Sequence, residues 1–234
     1  ASILRNFPED KYALSGRGEV LKAQGRYDEA LAAYDAVLEI YPTLETARNA
    51  RAEVLKEAGR YDEALLAYQA VLQDYPRRVS ARNGQAEVLR AMGKYEESLA
   101  AYDANVVMSP TDVFALAGRA AVLKALGRYD EALSAYDEII EIHPLRAPAR
   151  NGRVEVLKAQ GRFGEALAAY AETLLVSPRN RYALDGRGEV LRAQGRYSEA
   201  LASYQETIGS FPRDRYALVG RAEVLKASAQ YSDA

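Results

Sequence analysis

Apolar positions in the stretch from Tyr12 to Pro42 fall on two helical stripes separated by a glycine. Ala30, Leu31, Tyr34, Val37 and Leu38 follow one another at i, i+1, i+4, i+7 and i+8, which is one face of a helix. Before them, Tyr12 to Gln24 carries Ala13, Val20 and Leu21 and no internal proline, so a first helix is predicted there. Gly25-Arg26 divides the two, because glycine readily takes the left-handed conformation that closes a helix. Asp28 and Glu29 then place negative charge in the first turn of the second helix, where its dipole favours it. Pro42 stops that helix. Each helix is ~14 residues, or ~21 Å at 1.5 Å per residue. A hairpin this small cannot bury both apolar faces alone and must stack on others.

The others are present. Gly25, Gly59, Gly93, Gly127, Gly161 and Gly195 recur at a 34-residue step, with Ala229 in a seventh place. Pro8, Pro42, Pro76, Pro110, Pro144, Pro178 and Pro212 keep the same step. The chain is therefore an array of one unit. Six complete repeats are expected at 11–44, 45–78, 79–112, 113–146, 147–180 and 181–214. Residues 1–10 read as the end of a preceding second helix, and 215–234 as a partial seventh repeat. The array is predicted to hold thirteen full or nearly full helices and no strand, and its ragged ends suggest part of a longer protein. The copies differ too much for a pure consensus design.

Composition narrows the function. A net charge of -2 lacks the basic excess of a nucleic-acid surface. No apolar run nears the ~20 residues of a membrane span. Cysteine is absent, which removes thiol chemistry and fits a cytoplasmic location. His143 is the only histidine and stands before Pro144, where a helix end would use it as a capping or surface residue. Gly16-Arg17-Gly18 and Gly186-Arg187-Gly188 lack a third glycine and a preceding strand, so no dinucleotide loop is read. Gly93-Lys94 is followed by Tyr95 and is no phosphate loop. Asp-Glu pairs such as Asp28-Glu29, Asp62-Glu63 and Asp130-Glu131 are explained by their place in a first turn. No catalytic residue, metal site or cofactor is expected.

With Lys11 as position 1, the first repeat carries Gly18 at position 8, Leu21 at 11, Ala30 at 20, Tyr34 at 24, Val37 at 27 and Pro42 at 32. Ala64, Ala132, Ala166 and Ala200 hold position 20, with Ser98 once. Tyr68, Tyr102, Tyr136, Tyr170 and Tyr204 hold position 24. This pattern resembles the tetratricopeptide repeat (TPR) family over the whole chain. The departure is position 4, where the family often has tryptophan and this chain has leucine or arginine. The resemblance implies an all-α right-handed superhelical solenoid whose first helices line a concave groove with positions 2, 5, 9, 12 and 13.

Position 9 reads Glu19, Glu53, Glu87, Ala121, Glu155, Glu189 and Glu223, and position 12 reads Lys22, Lys56, Arg90, Lys124, Lys158, Arg192 and Lys226. The pattern is either a ladder of i, i+3 ion pairs worth ~0.2–0.5 kcal/mol each or a charged groove for a peptide. Position 5 holds Asn49, Asn83 and Asn151, whose amides can both donate to and accept from an extended main chain. Position 6 is glycine in six copies, from Gly16 to Gly220, with Ala50 once; close helix packing is the favoured reason. The repeat from Val113 replaces the polar groove residues with Phe114, Ala117, Ala121 and Ala125, an apolar spot suited to an anchor residue.

The function expected is a protein–protein interaction scaffold. A partner peptide or helix would lie along Asn49, Glu53, Lys56, Asn83, Glu87, Arg90, Phe114, Ala117, Ala121, Lys124, Asn151, Glu155 and Lys158. No nucleic-acid or membrane partner is expected. The alternatives are a substrate-selecting or regulatory segment of a larger enzyme and a self-assembling array whose ends stack.

Overall fold

The computed structural model describes residues 10–232, with side chains described to residue 228. The predicted helix ends at residues 1–9 and 233–234 lie outside the described residues. The rest is thirteen helices and, among the described residues, no strand. They are α1 Lys11–Ala23, α2 Tyr27–Ile40, α3 Glu45–Glu57, α4 Tyr61–Asp74, α5 Val79–Ala91, α6 Tyr95–Met108 and α7 Val113–Ala125. They continue as α8 Tyr129–Ile142, α9 Ala147–Ala159, α10 Phe163–Val176, α11 Arg181–Ala193, α12 Tyr197–Ser210 and α13 Arg215–Ser232. Contacts divide the chain into two units, residues 1–126 and 127–234. The division falls at the hairpin turn inside the repeat 113–146.

Six hairpins turn as the glycine spacing predicts, each glycine at a φ of 71 to 76°. At the first, the Arg26 N–H donates to the Leu21 carbonyl at 3.0 Å and the Gly25 N–H to that of Lys22 at 2.9 Å. These are the two bonds of a Schellman closure, and only a left-handed residue allows both. The arginine then forks onto the glutamate three residues on. Arg26 Nε and Nη2 donate to Glu29 Oε1 and Oε2 at 2.6 and 2.5 Å, and Arg60–Glu63, Arg128–Glu131, Arg162–Glu165 and Arg196–Glu199 repeat the clamp. At the opposite turn, Tyr41 leaves the helical region before Pro42, at φ -127° and ψ 71°, as the following proline ring favours, and the Leu44 N–H closes the turn onto the Tyr41 carbonyl at 3.0 Å.

The last helix differs from expectation. Spacing predicts a break at Ala229, yet α13 runs unbroken over 18 residues. Alanine has the highest helix propensity and none of glycine's ease in the left-handed region, so the helix continues.

Position 4 packs without tryptophan. Leu116 and Leu184 are fully buried. Where the residue is arginine it reaches out instead, Arg82 to the Pro76 carbonyl and Arg150 to that of Pro144, each at 2.8 Å. The tyrosines of position 24 form the core, none of them more than 6% exposed. Each occupies a socket left by a missing side chain. A Cβ on Gly84 would collide with the Tyr68 ring, and one on Gly118, Gly152 or Gly186 with Tyr102, Tyr136 or Tyr170 of the preceding repeat. Tyr34 is followed by Ala50 rather than glycine, and it lies against Gly18 of its own repeat. Tyr204 touches both kinds, Gly188 and Gly220. Every one of these tyrosines has at least one such glycine, at its own position 8 or at the next position 6. Close helix packing thus accounts for Gly18, Gly188 and the position-6 glycines from Gly84 to Gly220, but not for Gly16, where a Cβ would meet nothing within 4 Å; both glycine-arginine-glycine runs sit inside helices.

Candidate functional site

Within each unit the first helices of adjacent hairpins touch one another: α3 with α5 and α5 with α7, then α9 with α11 and α11 with α13. Their shared surface carries positions that the family resemblance implies for a groove. His143 ends α8 at the surface, its backbone N–H donating to the Ile139 carbonyl at 2.8 Å as at the other helix ends.

In the first unit the charges join neighbouring repeats as well as lying within them. Lys22 Nζ reaches Glu19 at 3.0 Å in its own helix and Glu53 at 3.2 Å in the next, and Lys56 reaches Glu87 at 2.5 Å. Burial pushes the Lys22 ammonium down, but its hydrogen bonds to Glu19 and Glu53 outweigh this and hold its pKa above the ordinary lysine value. Glu19 also accepts from the Tyr34 hydroxyl at 2.6 Å. Ala121 interrupts the row of position-9 carboxylates, and burial pushes the Tyr102 phenol up to about 12, with Arg90 acting against it.

The three asparagines diverge. Asn83 has both ends of its amide engaged inside the protein. Its Nδ2 donates to Asp112 Oδ2 and its Oδ1 accepts from Asn105 Nδ2, both at 2.7 Å. That use competes with the expected bond to a peptide main chain. Asn49 Oδ1 is buried and takes no hydrogen bond from the protein, and Asn151 is half-buried on α9. On α7, Phe114 is 73% exposed, with half-buried Ala117 and Ala121 on the same helix. The apolar spot read from the sequence is present on the surface.

The second unit holds what the sequence reading missed, a cleft of about 940 Å³. Every residue lining it comes from positions 1, 2, 5, 6, 9, 12 or 24 of the repeat. Glu155 and Lys158 belong to the expected set. Arg181, Tyr182, Asp185, Glu189, Arg192, Arg215, Tyr216, Val219 and Glu223 are additional. The ion-pair ladder forms one wall: Lys158 meets Glu155 at 3.2 Å and Glu189 at 2.8 Å, and Arg192 meets Glu223 at 3.2 Å. The Tyr182 hydroxyl donates to Glu155 Oε1 at 2.5 Å, and its ring tilts against Tyr170 at 6.0 Å between centroids. Burial, then that hydrogen bond, raises the Tyr182 phenol. Tyr216 is 75% exposed. A signal for this cleft exists in the sequence. Tyr182 and Tyr216 are the only aromatics that occupy position 2 in two successive repeats, each following an arginine.

Family comparison agrees with the geometry. Models described as tetratricopeptide repeat match residues 49–113, 151–215 and 186–227, and another matches 12–77. The chain belongs to the tetratricopeptide repeat family. A model described as bacterial transcriptional activator domain matches residues 90–178. No curated protein sequence matches. Among solved structures, a tetratricopeptide repeat protein from Parabacteroides merdae ATCC 43184 is similar at 19% identity, with a TM-score of 0.73 over 94% of this chain and 87% of that one. PilW, a type IV pilus biogenesis factor, is similar at 18% identity and a TM-score of 0.74, covering 89% and 97%. YrrB, described as a TPR protein with an unusual peptide-binding site, is similar at 19% identity and a TM-score of 0.59, covering 81% and 98%. At these identities the likeness is one of fold. Among the described residues no helix is long and apolar enough to cross a membrane.

Proposed function

We propose that the chain is a protein-recognition scaffold whose first helices receive an extended segment or helix of another protein. The observation that carries this reading is the cleft of about 940 Å³ in the second unit, lined mostly by the positions that the family resemblance places in a groove. It combines exposed and half-buried tyrosine faces with fixed charges of both signs, the composition that anchors peptide side chains and orients their backbone. In the first unit, Phe114 with Ala117 and Ala121 offers a second anchor point, flanked along α3 and α5 by Asn49, Glu53, Lys56, Glu87 and Arg90. Selection from a displayed peptide library tests the reading. Peptides enriched on the wild-type array should lose affinity on Tyr182→Ala or Phe114→Ala and keep it on a substitution of the exposed second-helix residue Leu66. Enrichment indifferent to both groove variants would place recognition elsewhere.

A second reading, a regulatory segment within a larger protein, is favoured by the overlap of residues 90–178 with the activator-domain model. It requires the same surface and differs in whether the bound segment belongs to the same chain.

A further inference from the structure

Positions 5, 27 and 34 of a repeat meet at the joint between its own first helix and the next. In the repeat 79–112 they are Asn83, Asn105 and Asp112, and they form a relay. Asn105 donates to Asn83, Asn83 donates to Asp112 Oδ2, and Asp112 Oδ1 accepts from the Phe114 N–H at 3.1 Å at the start of α7. In the repeat 181–214 the same positions are Asp185, Thr207 and Asp214. Asp214 Oδ1 caps α13, accepting from the N–H groups of Tyr216 and Ala217 at 2.9 and 3.1 Å, and its Oδ2 faces Arg181 Nε at 3.3 Å. Thr207 gives its proton to the Ser203 carbonyl at 3.1 Å and so does not serve Asp185 as Asn105 serves Asn83. Asp185 Oδ1 is sealed from solvent and receives no hydrogen bond from the protein.

We propose that Asp185 is a proton-operated lock between α11 and α13. Protonated, its carboxyl donates to Asp214 as the Asn83 amide donates to Asp112; ionised, it cannot, and two carboxylates oppose each other across the joint.

The surrounding charges are consistent with this. Burial, followed by the charge of Asp214, pushes Asp185 up to about 6, and Arg181 works against both. The other ionisable groups around the cleft engage one another. From α9, Lys158 binds Glu155 and, on α11, Glu189. Tyr182 of α11 donates to Glu155, and Arg192 pairs with Glu223 of α13. The phenols of Tyr170 on α10 and Tyr204 on α12 are both raised by burial and stay neutral through the range concerned, and Arg215 and Tyr216 of α13 complete the wall. The folded protein binds the Asp185 proton more tightly than the unfolded chain, whose ordinary value is 3.8. The lock's contribution is therefore full below pH about 4 and is lost as pH rises through about 6.

Thermal melts of the whole chain at pH 5 and pH 7.5 test this without any partner, so the outcome is separate from the recognition reading. Asp185→Asn carries a permanent donor. It should melt higher than wild type at pH 7.5, by roughly 2–4 °C, with the gap narrowing at pH 5. Asn83→Asp, the reciprocal change, should lower the melting temperature more at pH 7.5 than at pH 5. Carboxyl 13C titration of the wild-type chain reads Asp185 directly and does not depend on either variant folding. A midpoint near 6 supports the lock; a midpoint at the ordinary aspartate value overturns it. Parallel pH profiles for wild type and Asp185→Asn would overturn it equally.

Discussion

The two units present the same groove positions to different effect. In the first, α7 breaks the row of charges with Phe114, Ala117 and Ala121, and Asn83 is drawn inward to join α5, α6 and α7. In the second, tyrosines stand at position 2 of two successive repeats and position 5 carries Asp185, so a cleft opens between charged walls. Both units are held by tyrosines in glycine sockets and by lysines reaching the next repeat. The frame is thus repeated and the surface of the first helices is not, because frame and surface use different positions of the same helix.

The sockets separate frame from surface most sharply. Gly84→Val and Gly186→Val each drive a side chain into a buried tyrosine that has no second glycine, since position 8 of the repeats bearing Tyr68 and Tyr170 is Ala52 and Val154. A loss of ~1–3 kcal/mol or more is expected from overpacking. Gly220→Ala should cost less, because Tyr204 also has Gly188. Gly16→Ala meets nothing within 4 Å and should stabilise by ~0.5–1 kcal/mol. Denaturant unfolding of the four variants checks the order.

Anchoring comes next in size. Tyr182→Ala or Phe114→Ala should weaken a selected peptide by about tenfold, the ~1.4 kcal/mol of a moderate hot spot, with the melting temperature little changed. Calorimetric titration of each variant tells which unit holds the anchor.

The ladder comes third. Lys22→Met should cost no more than ~1 kcal/mol, as expected of partly exposed ion pairs, and the loss should shrink in high salt. Because the folded-state pKa of Lys22 is raised, its contribution is complete below 10.5, the ordinary value, and disappears as pH rises through the folded value. Melts of wild type and variant should converge at that alkaline end. Smallest of all is Ala121→Glu, which restores the carboxylate row. It should move stability by ~0.5 kcal/mol or less, yet weaken a peptide anchored at Phe114, because a charge would have to be desolvated beneath an apolar group.

Repeat boundaries, hairpin turns and the core tyrosines are legible in the sequence because each depends on one residue type at a fixed step. The rows of position-9 carboxylates and position-12 cations are legible for the same reason. The partners of Asn83 are not, because Asn105 and Asp112 lie on a second helix and at the cap of a third, and only folding sets their distances. The reach of Lys22 and Lys56 into the next repeat is hidden likewise, since i, i+3 spacing points first to the neighbour on the same helix. Ala229 shows the converse, a periodic place whose residue lacks the chemistry that gave the place its meaning.

The need of each core tyrosine for at least one glycine bears on how such a chain can change length in its gene. Misaligned recombination between copies removes or inserts whole steps of 34 residues and brings a tyrosine against a new following repeat. Almost any such junction closes without adjustment, since position 6 is glycine in every copy but one. The copy with Ala50 can follow only a repeat that carries its own glycine at position 8, such as those bearing Gly18 and Gly188. Length is thereby free to drift by duplication, while the order of copies is constrained at a single seam.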